Sequence, residues 1–217
     1  MPVFIASRHG LTISPLVCIF TYYMFGALNR YITTSTSKPL SKSELELINS
    51  AFTPKKLKRK QFLLQEGDVC KTFAFIVKGA MRQYLVDEKG VEHIVHLGVE
   101  TWWMGDRESW VMLKPSIYNI DAWEDTEMLL ITRADTQKLV RQIPIFNELV
   151  LGMDERNNIA TQKRITSSIS LTAQKRYTDF IADHPDFLQR FPQHIIASYL
   201  GITKDTLSRI RKQAHKK

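Results

Sequence analysis

The residues best placed to do chemistry lie near the C-terminus, in the string QHIIASYLGITKDTLSRIRK at positions 193–212. Ile196, Ala197 and Leu200 fall on one face of a first helix, Gly201 frees the turn from side-chain clash, and Ile202 plugs the corner. Thr203 can cap a second helix whose Leu207 and Ile210 return to the same small core. The opposite face of that second helix then shows Lys204, Asp205, Ser208, Arg209 and Lys212. Lys204 and Arg209 can donate to guanine O6 and N7, and Asp205 can accept from cytosine N4 or orient Arg209, so these three are the expected base-contacting residues. Thr203, Ser208, Arg211 and Lys212 suit phosphate contacts, which position a protein without reading sequence. The plainer alternative is a basic amphipathic helix with no DNA role, and Asp205 can equally serve as a helix-dipole partner in the first turn.

The charge distribution agrees with a polyanionic partner. Residues 151–217 hold twelve Lys and Arg against six Asp and Glu, which is +6 of the formal +8 carried by all 217 residues. Each neutralised phosphate releases condensed counterions, so double-stranded DNA is the expected partner.

Other chemistries find little support. Cys18 and Cys70 are the two cysteines, too few for a disulfide framework or an all-cysteine cluster, and a reducing cytoplasm fits them. His93 and His96 stand three positions apart, which on a strand sends them to opposite faces, so no metal site and no cofactor is expected. There is no nucleophile elbow, no Walker-type loop and no Gly-x-Gly-x-x-Gly, so the chain does not read as an enzyme.

The elements that must position the helix-turn-helix follow from pattern. Residues 1–28 are treated as an N-terminal extension. The run LTISPLVCIFTYYMFGAL (11–28) is uncharged and apolar, yet short for a membrane span and interrupted by Pro15; the preferred reading places the start of translation at Met24, and no membrane association is expected. A short helix follows, capped by Ser41 or Ser43, with Leu45, Ile48 and Phe52 as its stripe and Pro54 as its stop. The basic cluster Lys55, Lys56, Lys58, Arg59, Lys60 reads as a solvated edge.

Between 61 and 131 short apolar segments alternate with glycines at 67, 79, 90, 98 and 105, the texture of an antiparallel barrel spanning about 40–145, with a hairpin turn at Asp87-Glu88-Lys89-Gly90. Trp102, Trp103, Trp110, Phe73 and Phe75 either line an effector pocket or fill the barrel. A long helix over 146–171 carries Phe146, Val150, Met153, Asn157 and Ala160 at 4-3 spacing, a candidate seam for a parallel dimer, with packing on the same chain's barrel as the alternative. Residues 172–217 form the helix-turn-helix domain.

The order of barrel, long helix and terminal helix-turn-helix, with the strings FLLQEGD (62–68), FAFIVKGAMRQYLVDEKG (73–90) and SYLGITKDTLSRIRK (198–212), resembles the Crp/Fnr family of transcription regulators. The resemblance implies an α+β fold: a cyclic-nucleotide-binding-like jelly roll, a dimerisation helix and a winged-helix-like DNA-binding domain. It also implies a homodimer on a palindromic site, with base contacts from Lys204, Asp205 and Arg209 and with RNA polymerase as a further partner. Five residues follow Lys212, so any wing hairpin is expected to be reduced.

In members that bind cyclic nucleotides a Gly-Glu pair holds the ribose and an arginine neutralises the phosphate. Here Gly105-Asp106 takes the first place and Ser116 the second. Gly105, Asp106, Arg107, Ser116 and Tyr118 are therefore the candidate effector pocket, expected to bind no cAMP tightly unless Arg107 or Lys114 substitutes. The alternative is a barrel that senses a cyclic nucleotide or another small molecule and so controls DNA binding.

Overall fold

Strand β3 (Thr72–Lys78, TFAFIVK) has no polar face. Its alternate residues are buried on both sides: Phe75 and Val77 toward one cluster, Ala74 and Ile76 toward another. Such a strand must lie inside a layered structure, and the computed structural model, which describes residues 15–214, shows how the layers form. One antiparallel sheet has the order β1 (Phe52–Leu57), β8 (Thr126–Thr132), β3, β6 (Trp103–Met104). The other has the order β2 (Phe62–Leu64), β7 (Asn119–Ala122), β4 (Met81–Val86), β5 (Glu92–Gly98). Leu64, Ala74, Ile76, Met81, Met104, Ile120 and Met128 fill the space between them. The predicted jelly roll and its strands are thus present, and the 87–90 hairpin closes β4 onto β5 with Gly90 at φ +77°. The five predicted aromatics mostly fill the core: Phe75 is fully buried, Trp103 packs on it at 5.3 Å, and Phe73 meets Trp110 edge-on at 4.7 Å.

The outer side of the β1/β8/β3/β6 sheet is covered by helices. Helix α1 (Pro15–Ser35) buries Met24, Leu28 and Ile32, one residue per turn, against Phe75, Val77, Leu129 and Ile131. The predicted extension over 1–28 is corrected on this point. Residues 1–14 lie outside the described ones, but from Met24 onward the segment belongs to the core. Among the described residues no helix is long and apolar enough to cross a membrane. Helix α2 (Lys42–Ser50) starts with a capping box: Ser41 Oγ accepts from Glu44 N–H and the Glu44 carboxylate accepts from Ser41 N–H. It ends earlier than its apolar stripe implies, because Phe52 and Pro54 already belong to β1. Pro54 sits on a strand at the edge of its sheet, where a missing N–H costs nothing.

Helix α3 (Arg107–Met112) bridges β6 and β7. After β8 the described chain is helical throughout: α4 (Arg133–Gln142), α5 (Pro144–Ser170), α6 (Ala173–Asp183), α7 (Phe187–Arg190), α8 (Gln193–Tyr199) and α9 (Lys204–Ala214). Among the described residues there is therefore no β-wing beside the last two helices.

Helices α6–α9 cover the outer side of the other sheet. Ala80, Tyr84, Ile94 and Leu97 of the barrel share one buried cluster with Tyr177, Phe180, Phe187, Ile195, Ile196, Leu207 and Ile210. Polar groups fix the register of this junction. Arg190 reaches from α7 to both Glu100 and Glu124 of the barrel, and the Trp123 indole N–H donates to Arg190 O at 3.1 Å. Burial alone would push the Glu100 carboxyl up; the Arg190 guanidinium and the Gly79 N–H outweigh it and hold the group below the usual range. Below the same junction Arg164 donates to the carbonyls of Val95 and Ile94 and stacks over the Tyr199 ring at 4.5 Å.

Removing Arg190 leaves two carboxylates facing each other at the junction. Arg190→Ala is expected to cost about 2 kcal/mol and to open 184–192 to protease, read from urea unfolding and limited proteolysis; an unchanged midpoint and cleavage pattern would refute the clamp. His96 gives a pH dependence: burial, then the Arg164 charge, push its pKa down to about 4 against a hydrogen bond that the ring donates to the Trp103 backbone carbonyl. The unfolded chain therefore binds the extra proton first, so stability is full above about 6.5 and falls as the pH drops toward about 4. Urea midpoints at those two pH values should differ less in His96→Asn than in the unaltered chain.

Candidate nucleic-acid interface

The turn between α8 and α9 is built as the sequence requires. Gly201 takes φ +64°, and Ile202 N–H donates to Ala197 O at 3.0 Å, drawing the corner against the small Ala197 side chain. Thr203 Oγ1 accepts from Thr206 N–H at 3.1 Å and so caps α9. Ile195, Ile196, Ala197, Leu207 and Ile210 are buried.

Lys204, Asp205, Arg209 and Lys212 all stand exposed on the opposite face of α9, and among the described residues none of the three cations has an ion-pair partner. Ser208 and Arg211 are half-buried at the flanks of that face. The carboxylate of Asp205 does not hold Arg209; the contact runs from Arg209 Nε to the Asp205 backbone carbonyl at 3.5 Å, leaving the carboxylate free to accept. The Thr203 hydroxyl, expected at a phosphate, is already engaged with Thr206.

Sequence reasoning missed how this unit is held. Ser198 of α8 accepts from Ile94 N–H at 2.9 Å and donates to Glu92 O at 3.2 Å, so the first helix of the pair is bonded directly to β5. Arg82 lies close by on β4. It forms a bidentate pair with Asp121 at 2.9 and 3.0 Å, a further pair with Glu92, and covers the Tyr84 ring at 4.2 Å. A charged residue inside the buried strand MRQYLV was the only signal, and it could not name Asp121, 39 residues away.

The candidate effector residues do not converge. Asp106 is buried, and its carboxylate caps α3 by accepting from Glu108 and Ser109 N–H. Arg107 turns outward to pair with Asp154 on α5. Ser116 Oγ accepts from Tyr118 N–H at 3.0 Å. Of the five only Gly105 lines the barrel pocket, about 250 Å³ bounded by Leu63, Leu64, Asp68, Val69, Cys70, Lys71, Thr72 and Ile120. No guanidinium lines it, so a bound phosphate would meet Lys71 alone. Burial pushes the Cys70 thiol up.

The dimer seam read from spacing is also corrected. Phe146 is buried in the same chain's core, Val150 and Met153 pack against that core, and Arg164 on the same stripe is tied to β5. Asn157 and Ala160 are exposed on that side. The free apolar residues of α5 lie on the opposite face: Leu151, Ile159, Ile165 and Ile169, between 45% and 80% exposed. The 4-3 spacing was real, and this chain's own core takes Phe146, Val150 and Met153 of it.

Comparison with known proteins agrees with this geometry. Residues 54–143 match the model of the cyclic nucleotide-binding domain family. Among curated proteins no sequence relative matches the chain. In fold the chain is similar to FixK2 from Bradyrhizobium japonicum, with TM-score 0.65 and 19% identity over 76% of this chain and 85% of that one. It is similar to the c-di-GMP responsive global regulator CLP of Xanthomonas campestris, with TM-score 0.64 and 11% identity over 81% and 92%. It is also similar to a CooA mutant from Carboxydothermus hydrogenoformans, with TM-score 0.63 and 18% identity over 83% and 81%. The barrel at 54–143 is thus similar to the cyclic nucleotide-binding domain, and the barrel, long helix and terminal helices together share the fold of these three proteins.

Proposed function

We propose that this protein is a sequence-specific DNA-binding transcription regulator that acts as a homodimer on a two-fold symmetric site and does not bind cAMP tightly. The observation that carries the reading is the outer face of α9, where Lys204, Asp205, Arg209 and Lys212 stand exposed on a helix held in place from behind. A recognition helix lies in the major groove with its N-terminal residues at the base edges, which are the positions of Lys204, Asp205 and Arg209.

The dimer rests on the exposed face of α5. A helix of 27 residues is about 40 Å long. Leu151, Ile159, Ile165 and Ile169 would be buried against the same face of a second copy, and a two-fold axis along α5 would present two α9 helices to one face of a duplex. The cAMP statement rests on the pocket: Asp106 is spent on a helix cap, Arg107 on Asp154, and Arg82 on Asp121 and Glu92. The pocket itself favours a second reading, in which a small molecule in the barrel controls the DNA-binding unit.

Selection of the full chain against a random duplex library, with and without cAMP, should enrich a two-fold symmetric motif equally in both; enrichment only with cAMP would establish the second reading. On the selected site Arg209→Ala is expected to cost about 1–3 kcal/mol while binding to unrelated duplex changes less; an equal loss on both would move Arg209 to phosphate contact. Ile165→Asp combined with Ile169→Asp should convert a dimer to a monomer in sedimentation, and a dimer that survives would place the seam elsewhere.

A further inference from the structure

The outer edge of β5 holds two helices at once. In its sheet β5 is the last strand, so one row of its backbone groups is left without a strand partner. Ser198 of α8 takes part of that row, accepting from Ile94 N–H at 2.9 Å and donating to Glu92 O at 3.2 Å. A bulge then interrupts the pairing with β4: Tyr84 stands opposite Ile94 and Gln83 opposite His96, which leaves Val95 opposite no residue. The carbonyls of Ile94 and Val95 both accept from the guanidinium of Arg164 on α5, whose central carbon lies over the Tyr199 ring of α8 at 4.5 Å. Barrel, long helix and the first helix of the helix-turn-helix therefore meet at one side chain.

Along α5 that side chain is an isolated fixed point. The first half of the helix is anchored by Phe146, Leu149 and Met153 in the core, by Glu148, which accepts from Ser37, and by Asp154, which pairs with Arg107. Residues 155–163 are all exposed, and among the described residues none of them makes a side-chain hydrogen bond or ion pair outside the helix. Arg164 is the next anchor, about 15 Å along the helix from Asp154. Beyond it Arg176 of α6 donates to Ser168 O at 3.1 Å and to Leu171 O at 3.4 Å. Those bonds stay at the α5–α6 corner, whereas Arg164 reaches across to β5 and α8. An arginine suits the place because its flat fork donates to two carbonyls while its face rests on a ring; a lysine ammonium has no such face.

The direction of α5 relative to α8 matters for a dimer. With the two-fold axis along α5, a tilt between that helix and the α8–α9 pair changes both the separation and the relative turn of the two α9 helices. DNA responds steeply to such changes: one added base pair shifts the second half-site by about 3.4 Å and turns it by about 35°. Resting on the DNA-binding homodimer reading above, we infer that Arg164 is a positioning residue that sets the spacing between the two half-sites the protein accepts. In that role it touches no base and leaves the half-site sequence to α9.

The test uses the full chain and duplexes that carry the selected half-sites with the spacer kept, lengthened or shortened by one base pair, and reads the ratio of affinities for the kept and altered spacers. In Arg164→Ala that ratio should fall by about fivefold or more, while the half-site selected from a random library stays the same. Arg164→Lys keeps the charge without the flat fork and should lose the ratio as well. Tyr199→Phe, which keeps the ring, and Lys163→Ala, which removes a neighbouring charge, should retain it. An Arg164→Ala dimer with the ratio of the unaltered chain overturns the inference and leaves the helix-turn-helix reading intact, as does an unaltered chain whose affinity ignores spacer length. An Arg164→Ala chain that sediments as a monomer assigns the residue to the dimer seam and overturns it too. An unaltered chain that selects no two-fold motif overturns both readings.

Discussion

Strands β3 and β8 bury Phe75, Val77, Leu129 and Ile131 on one side and Ala74, Ile76 and Met128 on the other, so their sheet cannot face water on either side. The second sheet is in the same position, with Ala80, Tyr84, Ile94 and Leu97 turned away from the barrel interior. An antiparallel barrel that alternates apolar and polar residues can stand alone; this one must be covered twice. Helix α1 and the start of α5 supply one cover, and the four short helices 173–214 supply the other. The α8–α9 unit is therefore not an appendage on a linker. It closes a core that the barrel leaves open.

That arrangement decides what positions α9. An apolar junction alone is tolerant of sliding, because burial is non-directional. The bonds of Ser198 to Ile94 and Glu92, the clamp of Arg190 between Glu100 and Glu124, and the reach of Arg164 to the β5 carbonyls are directional, and they select one register. Position of the exposed face of α9 is thus set by β5 and by the loops around Glu100 and Glu124. Any change in the barrel that moved those groups would move α9 with them.

Much of this was legible in the sequence, and the failures have a common cause. Local signals held: the helix start at Ser41 or Ser43, where Ser41 proves to be the cap, the 87–90 hairpin, the turn at Gly201 and the capping Thr203 each depend on residues within a few positions of one another. The barrel was legible from glycine-spaced apolar runs, and the outward face of α9 from its inward one. What failed depended on partners distant in the chain. The seam of α5 was read from true periodicity, but periodicity gives a face and not its neighbour, and the neighbour of Phe146, Val150 and Met153 is this chain's own core. Likewise Arg107 stands beside Gly105-Asp106 in sequence, and only the fold shows that Asp154 claims it. For Arg82, Arg164 and Arg190, which organise the junctions, the sequence could not name partners, because each has one dozens of residues away.

In the barrel the candidate effector residues are committed to the scaffold. A cyclic nucleotide needs an acceptor for its ribose and a guanidinium for its phosphate, and both must be free inside the pocket. Here the acidic residue after Gly105 is shorter than a glutamate and is consumed by the amides of α3, where it stabilises a helix start. The nearby guanidiniums face outward, each already paired with a carboxylate. Restoring a phosphate site would therefore require more than one new arginine, since Asp106 would have to release Glu108 and Ser109 and leave the first turn of α3 uncapped. Arg107, next to that cap, ties α3 to α5 through Asp154, so both residues serve the scaffold between the barrel and the long helix.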